Sequence, residues 1–130
     1  MIVLDASAAI EWLFRSPVGL KIDQRISLPG ESLHVPHLLD LEVTQVLRRL
    51  VRDRSIAVER ADESLEDLAD LRLRRYPHDF LLPRIWGFRA TLSAYDAAYV
   101  ALAELLDAPL VSCDRKIASA SGHHANVEVM

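Results

Sequence analysis

Four acidic side chains in this 130-residue chain are placed where they could do chemistry: Asp5, Glu42, Asp96 and Asp114. Asp5 ends the apolar run "IVL" and Asp114 lies just past "LVSC", so each sits where a short buried strand would leave a sheet. Asp96 falls in the first turn of a helix expected from Ala94, and Glu42 in the early part of a helix expected after Pro36. In a parallel sheet, strand carboxyl ends and the amino ends of the following helices share one edge, where sites form. An all-oxygen set without imidazole or thiolate selects a hard cation, magnesium or manganese over zinc. Such an ion suits phosphodiester hydrolysis, because it lowers the pKa of a bound water and neutralises charge on the phosphate and leaving oxygen.

Each acid also has a structural reading. Ser93 with Asp96 three residues later forms a capping box, and Asp5 and Asp114 could cap the helices that follow them. Glu42 resists that account. It falls within the apolar stripe of its helix, beside Leu38, Leu39 and Val46, with no lysine or arginine within a turn. A carboxylate there must find a partner or a cation. If the four acids meet within about 6 Å, each pair repels by roughly 3 kcal/mol at an effective dielectric of about 20. All pairs together reach roughly 17 kcal/mol, beyond the usual net stability of a domain. Either some take up protons, or a divalent cation holds them.

The elements that must position these acids alternate along the chain. Strands are expected at 2–4, 33–35, 73–76, 110–112 and 127–129. Helices are expected from Ala6 to Phe14, after Pro17 through Leu20, Ile22 and Ile26, and over 37–54 through Leu39, Val43, Val46, Leu47 and Leu50. Further helices are expected over 57–72 through Val58, Ala61, Leu65, Leu68 and Leu71, after Pro83 through Ile85, Trp86 and Phe88, and from Ala94 to Leu106. Pro36 is read as starting the element after the second strand. The alternation implies an α/β fold, a three-layer α/β/α sandwich around a mainly parallel central sheet.

Length bounds this to one domain over 1–130. Apolar residues make up 51% and charged residues 26%, a globular balance. The start, with Asp5 and Glu11, makes a poor signal peptide, and no apolar run could span a membrane, so a cytoplasmic protein is expected. Cys113 is the only cysteine, which rules out an internal disulfide and a thiolate zinc site. It reads as a buried thiol beside the site, and His123-His124 as a solvated loop. The net charge of -4 argues at first against a polyanionic substrate. Setting the four acids aside leaves fifteen acidic against fifteen basic residues, so that objection lapses. Arg48 to Arg54, Arg72 to Arg75, Arg84, Arg89, Arg115 and Lys116 are available for phosphate contacts. Trp12 and Trp86 read as core more than as docking surface.

With these residues assembled, the chain resembles the PIN-domain ribonucleases, specifically VapC toxins of type II toxin-antitoxin modules. The resemblance runs through "MIVLDASA", "PHLLDLEVTQVLRRL", "RRYPHDFLLPRIW", "LSAYDAAYVALAELLDAPLVSCDRK" and the closing "VEV". It implies a PIN-like fold and a magnesium-dependent endoribonuclease in which manganese can substitute. The catalytic quartet is then Asp5, Glu42, Asp96 and Asp114, with metal held mainly through Asp5 and Asp96 and completed by Asp114. Ser7 and Ser93 match hydroxyl residues beside the site and are candidates for substrate contact. The resemblance further implies RNA as substrate, transfer or ribosomal RNA in many members, a homodimer, and a VapB-type antitoxin as neutralising partner. Two departures stand out. Thr91 replaces a frequent asparagine, which bears on substrate contacts. Lys116 stands where some PIN proteins carry another acid, which bears on a second metal.

Two rivals remain. A PIN-fold module that binds RNA with little catalysis is disfavoured by the presence of all four acids. A receiver-type phospho-acceptor domain would need two adjacent acids after the first strand, which are absent; a dehalogenase-type phosphatase would need an aspartate where Ser7 stands.

Overall fold

The computed structural model describes residues 1–130. Its strands are β1 (Ile2–Leu4), β2 (Leu33–Pro36), β3 (Leu73–Tyr76), β4 (Leu110–Ser112) and β5 (Val127–Val129), all parallel in the order β3-β2-β1-β4-β5. Between them run α1 (Ala6–Phe14), α2 (Pro17–Ile26), α3 (Leu38–Arg52), α4 (Val58–Asp70), α5 (Leu82–Gly87), α6 (Ala94–Leu106) and α7 (Arg115–Ser119). The chain steps from β1 to β2 to β3 in one direction, then crosses back to β4 and β5 in the other. Right-handed crossovers put connections of opposite direction on opposite faces. Accordingly α1, α3 and α4 pack on one another, while α6 packs with α5 across β1, β2 and β4. This is the expected three-layer α/β/α sandwich, with every strand pair parallel. No helix is long and apolar enough to cross a membrane.

The reversal of strand order falls between β1 and β4. The helices after these two strands depart to opposite faces, which opens a crevice beyond their carboxyl ends. β1, whose three residues are wholly buried, delivers Asp5 to that crevice, and β4 delivers Cys113 and Asp114. The rigid middle of the sheet therefore supports the edge where the acids lie.

α1 ends at Arg15, which takes the left-handed conformation at φ 53°, and Ser16 caps α2 through Gly19 N at 2.9 Å. α2 then folds tightly back: a Cβ on Gly19 would lie 1.9 Å from the Glu11 carbonyl oxygen, so only glycine fits there.

Several sequence expectations need correction. Pro36 closes β2 rather than starting a helix, pairing with Tyr76, and α3 begins at Leu38. Having no N–H, the proline cannot donate toward β1, and the pairing of β1 with β2 ends at Val3 and His34. Leu20 is 47% exposed, leaving Gly19, Ile22 and Ile26 as the buried face of α2. On α4 the buried stripe is Ala61, Ser64 and Leu68, small enough to seat the helix closely, while Val58 and Leu65 are exposed. Trp86 is exposed, with Arg89 over its ring. His123 is half-buried against Phe88, donating from Nε2 to the Ile117 carbonyl at 2.8 Å.

Candidate active site

Asp5, Glu42, Asp96 and Asp114 line one crevice of about 340 Å³. Asp5 caps α1, accepting at Oδ1 from Ala8 N at 2.9 Å and Ser7 Oγ at 2.6 Å. Its Oδ2 accepts from the wholly buried Ser112 hydroxyl. Ser7 Oγ in turn accepts from Cys113 N at 2.9 Å, and Ser112 Oγ from Asp114 N at 2.9 Å. Two serines thus tie the end of β1 to the end of β4 through the Asp5 carboxylate. Of its roughly four lone-pair positions, three are engaged, which fixes its orientation and leaves room for one more partner.

Asp96 sits in the first turn of α6, which Ser93 caps by accepting from Asp96 N at 3.1 Å. Asp114 caps α7, accepting from Lys116 N at 2.9 Å. The Ser93 and Asp114 N-caps therefore form, alongside the convergence of the acids. Glu42 reaches the crevice from α3 and accepts at Oε1 from the Tyr99 hydroxyl at 2.6 Å, leaving Oε2 without a partner. Tyr99, on α6 and 1% exposed, is the partner that the position of Glu42 demanded. Burial and the neighbouring Glu42 push the Tyr99 phenol far up, so it stays protonated and donates.

Burial raises Asp5 above the usual carboxylate range against its hydrogen bonds from Ser112, Ser7 and Ala8, with Asp96 adding repulsion. Burial likewise raises Glu42, opposed by the Tyr99 hydrogen bond and aided by Asp96 and Asp5. Asp96 is raised by burial and by Asp114. None of the four is in an ion pair. The repulsion anticipated from sequence is met in part by these upward shifts.

Of the other crevice residues, Glu11 escaped the sequence reading, while Arg49 belongs to the group expected to contact phosphate and Cys113 was expected beside the site. Glu11 is a fifth acid there, accepting from the Ser16 hydroxyl, and Arg49 is the only cation. Arg49 lies seven residues after Glu42, two helical turns along the same face, which is a spacing the sequence does display. Cys113 lines the crevice, its thiol pushed up by burial and by Asp5. Ser7 lies in the crevice with its hydroxyl committed, whereas Ser93 is exposed and serves as a cap outside the crevice lining. Thr91 donates to the Ser121 carbonyl at 3.0 Å. Arg75 and Arg84, two of the candidate phosphate contacts, are occupied by Asp40 and Glu104.

No three carboxylate, imidazole or thiol groups are arranged to hold one ion by themselves. Magnesium is commonly held by one or two carboxylates and several waters. A crevice lined by hard oxygen donors, with Asp5 rigidly presented and no basic side chain bound to any of the four acids, fits that mode.

Comparison with known proteins places the chain as a whole. Residues 2–122 match the PIN domain family. Ribonuclease VapC12 of Mycobacterium tuberculosis is 38% identical over 130 residues, covering all of this chain and 99% of the relative. VapC ribonuclease Mb0985 of Mycobacterium bovis is 42% identical over 117 residues, covering 90% of this chain and 88% of the relative. Among solved structures, VapBC2 of Rickettsia felis bound to a promoter DNA fragment superposes with a TM-score of 0.72 at 13% identity, covering 99% of this chain and 98% of the other.

Proposed function

The chain belongs to the PIN-domain family, among its VapC ribonucleases, and from that premise we propose that it is a metal-dependent endoribonuclease toxin restrained by a VapB-type antitoxin. The observation that carries the mechanistic part is that four carboxylates from four separate segments line one crevice without an ion-paired cation. Asp5 and Asp96 would hold magnesium, with Asp114 completing the site through bound waters and manganese able to substitute. When bound, the ion lowers the pKa of a water and offsets negative charge at the phosphate.

The protein's own groups then divide the remaining work. Asp5 is fixed by three hydrogen bonds, so its orientation needs no rearrangement as substrate arrives. Glu42 has Oε1 tied to Tyr99, leaving Oε2 to take the proton of a water that attacks phosphorus. Its raised pKa brings its proton affinity closer to working pH than that of a free carboxylate. As water adds, the bond from phosphorus to the leaving oxygen breaks, and that oxygen gains a proton from solvent. Dimerisation belongs to the same reading.

Purified protein incubated with RNA should cleave it only when magnesium or manganese is added. Asp5→Asn should lose that cleavage while remaining folded by circular dichroism. Binding of RNA with no cleavage under either metal would favour the RNA-binding module instead.

A further inference from the structure

Beside the acid crevice lies a second, apolar one of about 490 Å³, walled by Leu38, Leu41 and Tyr95. The two share Glu42, Val46 and Arg49, residues four and three apart on one face of α3, so they are continuous. Leu41 is 72% exposed and Tyr95 61% exposed, an aromatic and an aliphatic side chain open to solvent next to a charged site. Tyr95 directly precedes Asp96 at the start of α6, so the placement of one fixes the placement of the other. Arg49 is the only cation lining either crevice and has no acidic partner in an ion pair.

We infer that the apolar crevice is a nucleotide subsite, in which Tyr95 stacks on the unstacked base next to the cleaved bond and Arg49 holds the adjoining phosphate. The inference rests on the ribonuclease reading for its substrate class. Its chemistry follows from three juxtaposed features: an anion-seeking guanidinium on the shared rim, an exposed aromatic ring, and an acid site within one nucleotide's reach along the same helix face. Every nucleobase offers a π-face, so stacking on Tyr95 selects single-stranded over paired RNA without reading sequence. Because a duplex keeps its bases stacked on each other, a strand must be open at this position to enter. The exposed carbons of Leu41 extend the contact beyond the ring.

The test compares two labelled probes by fluorescence anisotropy: a mixed-sequence, single-stranded 12-nucleotide RNA and an abasic ribose-phosphate strand of equal length. Calcium replaces magnesium to slow turnover. The folded protein should prefer the base-bearing strand roughly ten-fold. Tyr95→Ala should remove most of that preference without changing affinity for the abasic strand, while Tyr95→Phe and Tyr95→Trp retain it. Arg49→Ala should weaken both strands alike and reduce the salt-dependence slope by about 0.7, the loss of one phosphate contact.

Three results would overturn the subsite. Tyr95→Ala could keep the full preference, could weaken both strands equally, or could change the oligomeric state in size-exclusion chromatography, which would assign this surface to a second copy. Tyr95-dependent base preference in a protein that cleaves nothing would keep the subsite and sink the nuclease reading. Cleavage of RNA with no such preference would do the reverse.

Discussion

Glu104 and the crevice acids show two treatments of a buried carboxylate within one molecule. The Glu104 side chain is 6% exposed, yet Arg84 meets it with two parallel bonds at 2.8 and 3.0 Å, and His124 N donates at 3.1 Å. Its pKa is lowered, the Arg84 and His124 contacts outweighing the burial that opposes them. Asp5 is 3% exposed and receives three donors, but all are neutral and its pKa is raised. Where an acid serves structure, the fold supplies an arginine. At the sheet reversal it supplies hydroxyls and backbone amides, which orient a carboxylate without cancelling its charge. That leftover charge is what a divalent cation would use.

The sharpest way to break this contrast is to remove one oriented charge. Asp5→Asn keeps the shape and an oxygen acceptor for the Ala8 amide, and should lower RNA cleavage on the order of a hundred- to a thousand-fold. A variant that cleaves within a few-fold of the parent would show that the orientation of Asp5 has no catalytic consequence. The corresponding cut at the structural acid is Arg84→Ala. It leaves Glu104 buried without its partner and should cost roughly 2 kcal/mol in urea unfolding, below the 3–5 kcal/mol of a fully buried pair because Arg84 is half-exposed. Cleavage by that variant should persist below its melting temperature. A larger loss of activity than of stability would join the two regions functionally.

The third difference concerns cations. Millimolar magnesium should raise the stability of the parent chain by about 1–2 kcal/mol through preferential binding to the folded state. Asp5→Asn should lose this gain and Arg84→Ala should keep it. Equal stabilisation of parent and Asp5→Asn, followed by differential scanning fluorimetry with and without chelator, would place the ion elsewhere.

What the sequence displayed and what it hid follow the same division. Short apolar runs ending on acids gave β1 and β4, and three- and four-residue spacing gave α3, because burial on both faces or on one stripe leaves a direct imprint on residue type. The reversal of strand order between β1 and β4 was hidden, since topology depends on which strands pair across the chain. Tyr99 was hidden for a related reason. Its ring reads as core within "AAYVALA", and only the folded juxtaposition of α6 with α3 turns its hydroxyl toward Glu42. Ser112 likewise reads as the end of a strand, and its donation to Asp5 crosses 107 positions. Pro36 misled because a proline fits a helix start as well as the last residue of a strand.

The smallest expected effect is a pH dependence that isolates the cost of an unneutralised acid. In the folded, metal-free protein Glu42 has its pKa raised by burial against the Tyr99 hydrogen bond, so above that value its charge opposes folding. Between the ordinary carboxylate value and the raised one, the folded chain binds more protons than the unfolded chain, and stability increases as pH falls. His34 pulls the other way. It is buried between Ser32 and Tyr76, and burial, the amino terminus and Arg74 lower its pKa, so stability is lost as pH falls below its ordinary value. The net curve of the parent mixes both with the raised Asp5 and Asp96, but Glu42→Gln removes one contribution and leaves His34 unchanged, with the amide oxygen still able to accept from Tyr99. In chelator at pH 7 that variant should be more stable than the parent, and the gap should close as the buffer is taken toward the ordinary carboxylate range. A gap that stays constant would mean that Glu42 carries no excess charge cost, and one that widens would mean that its pKa is lowered, making it resemble Glu104 after all.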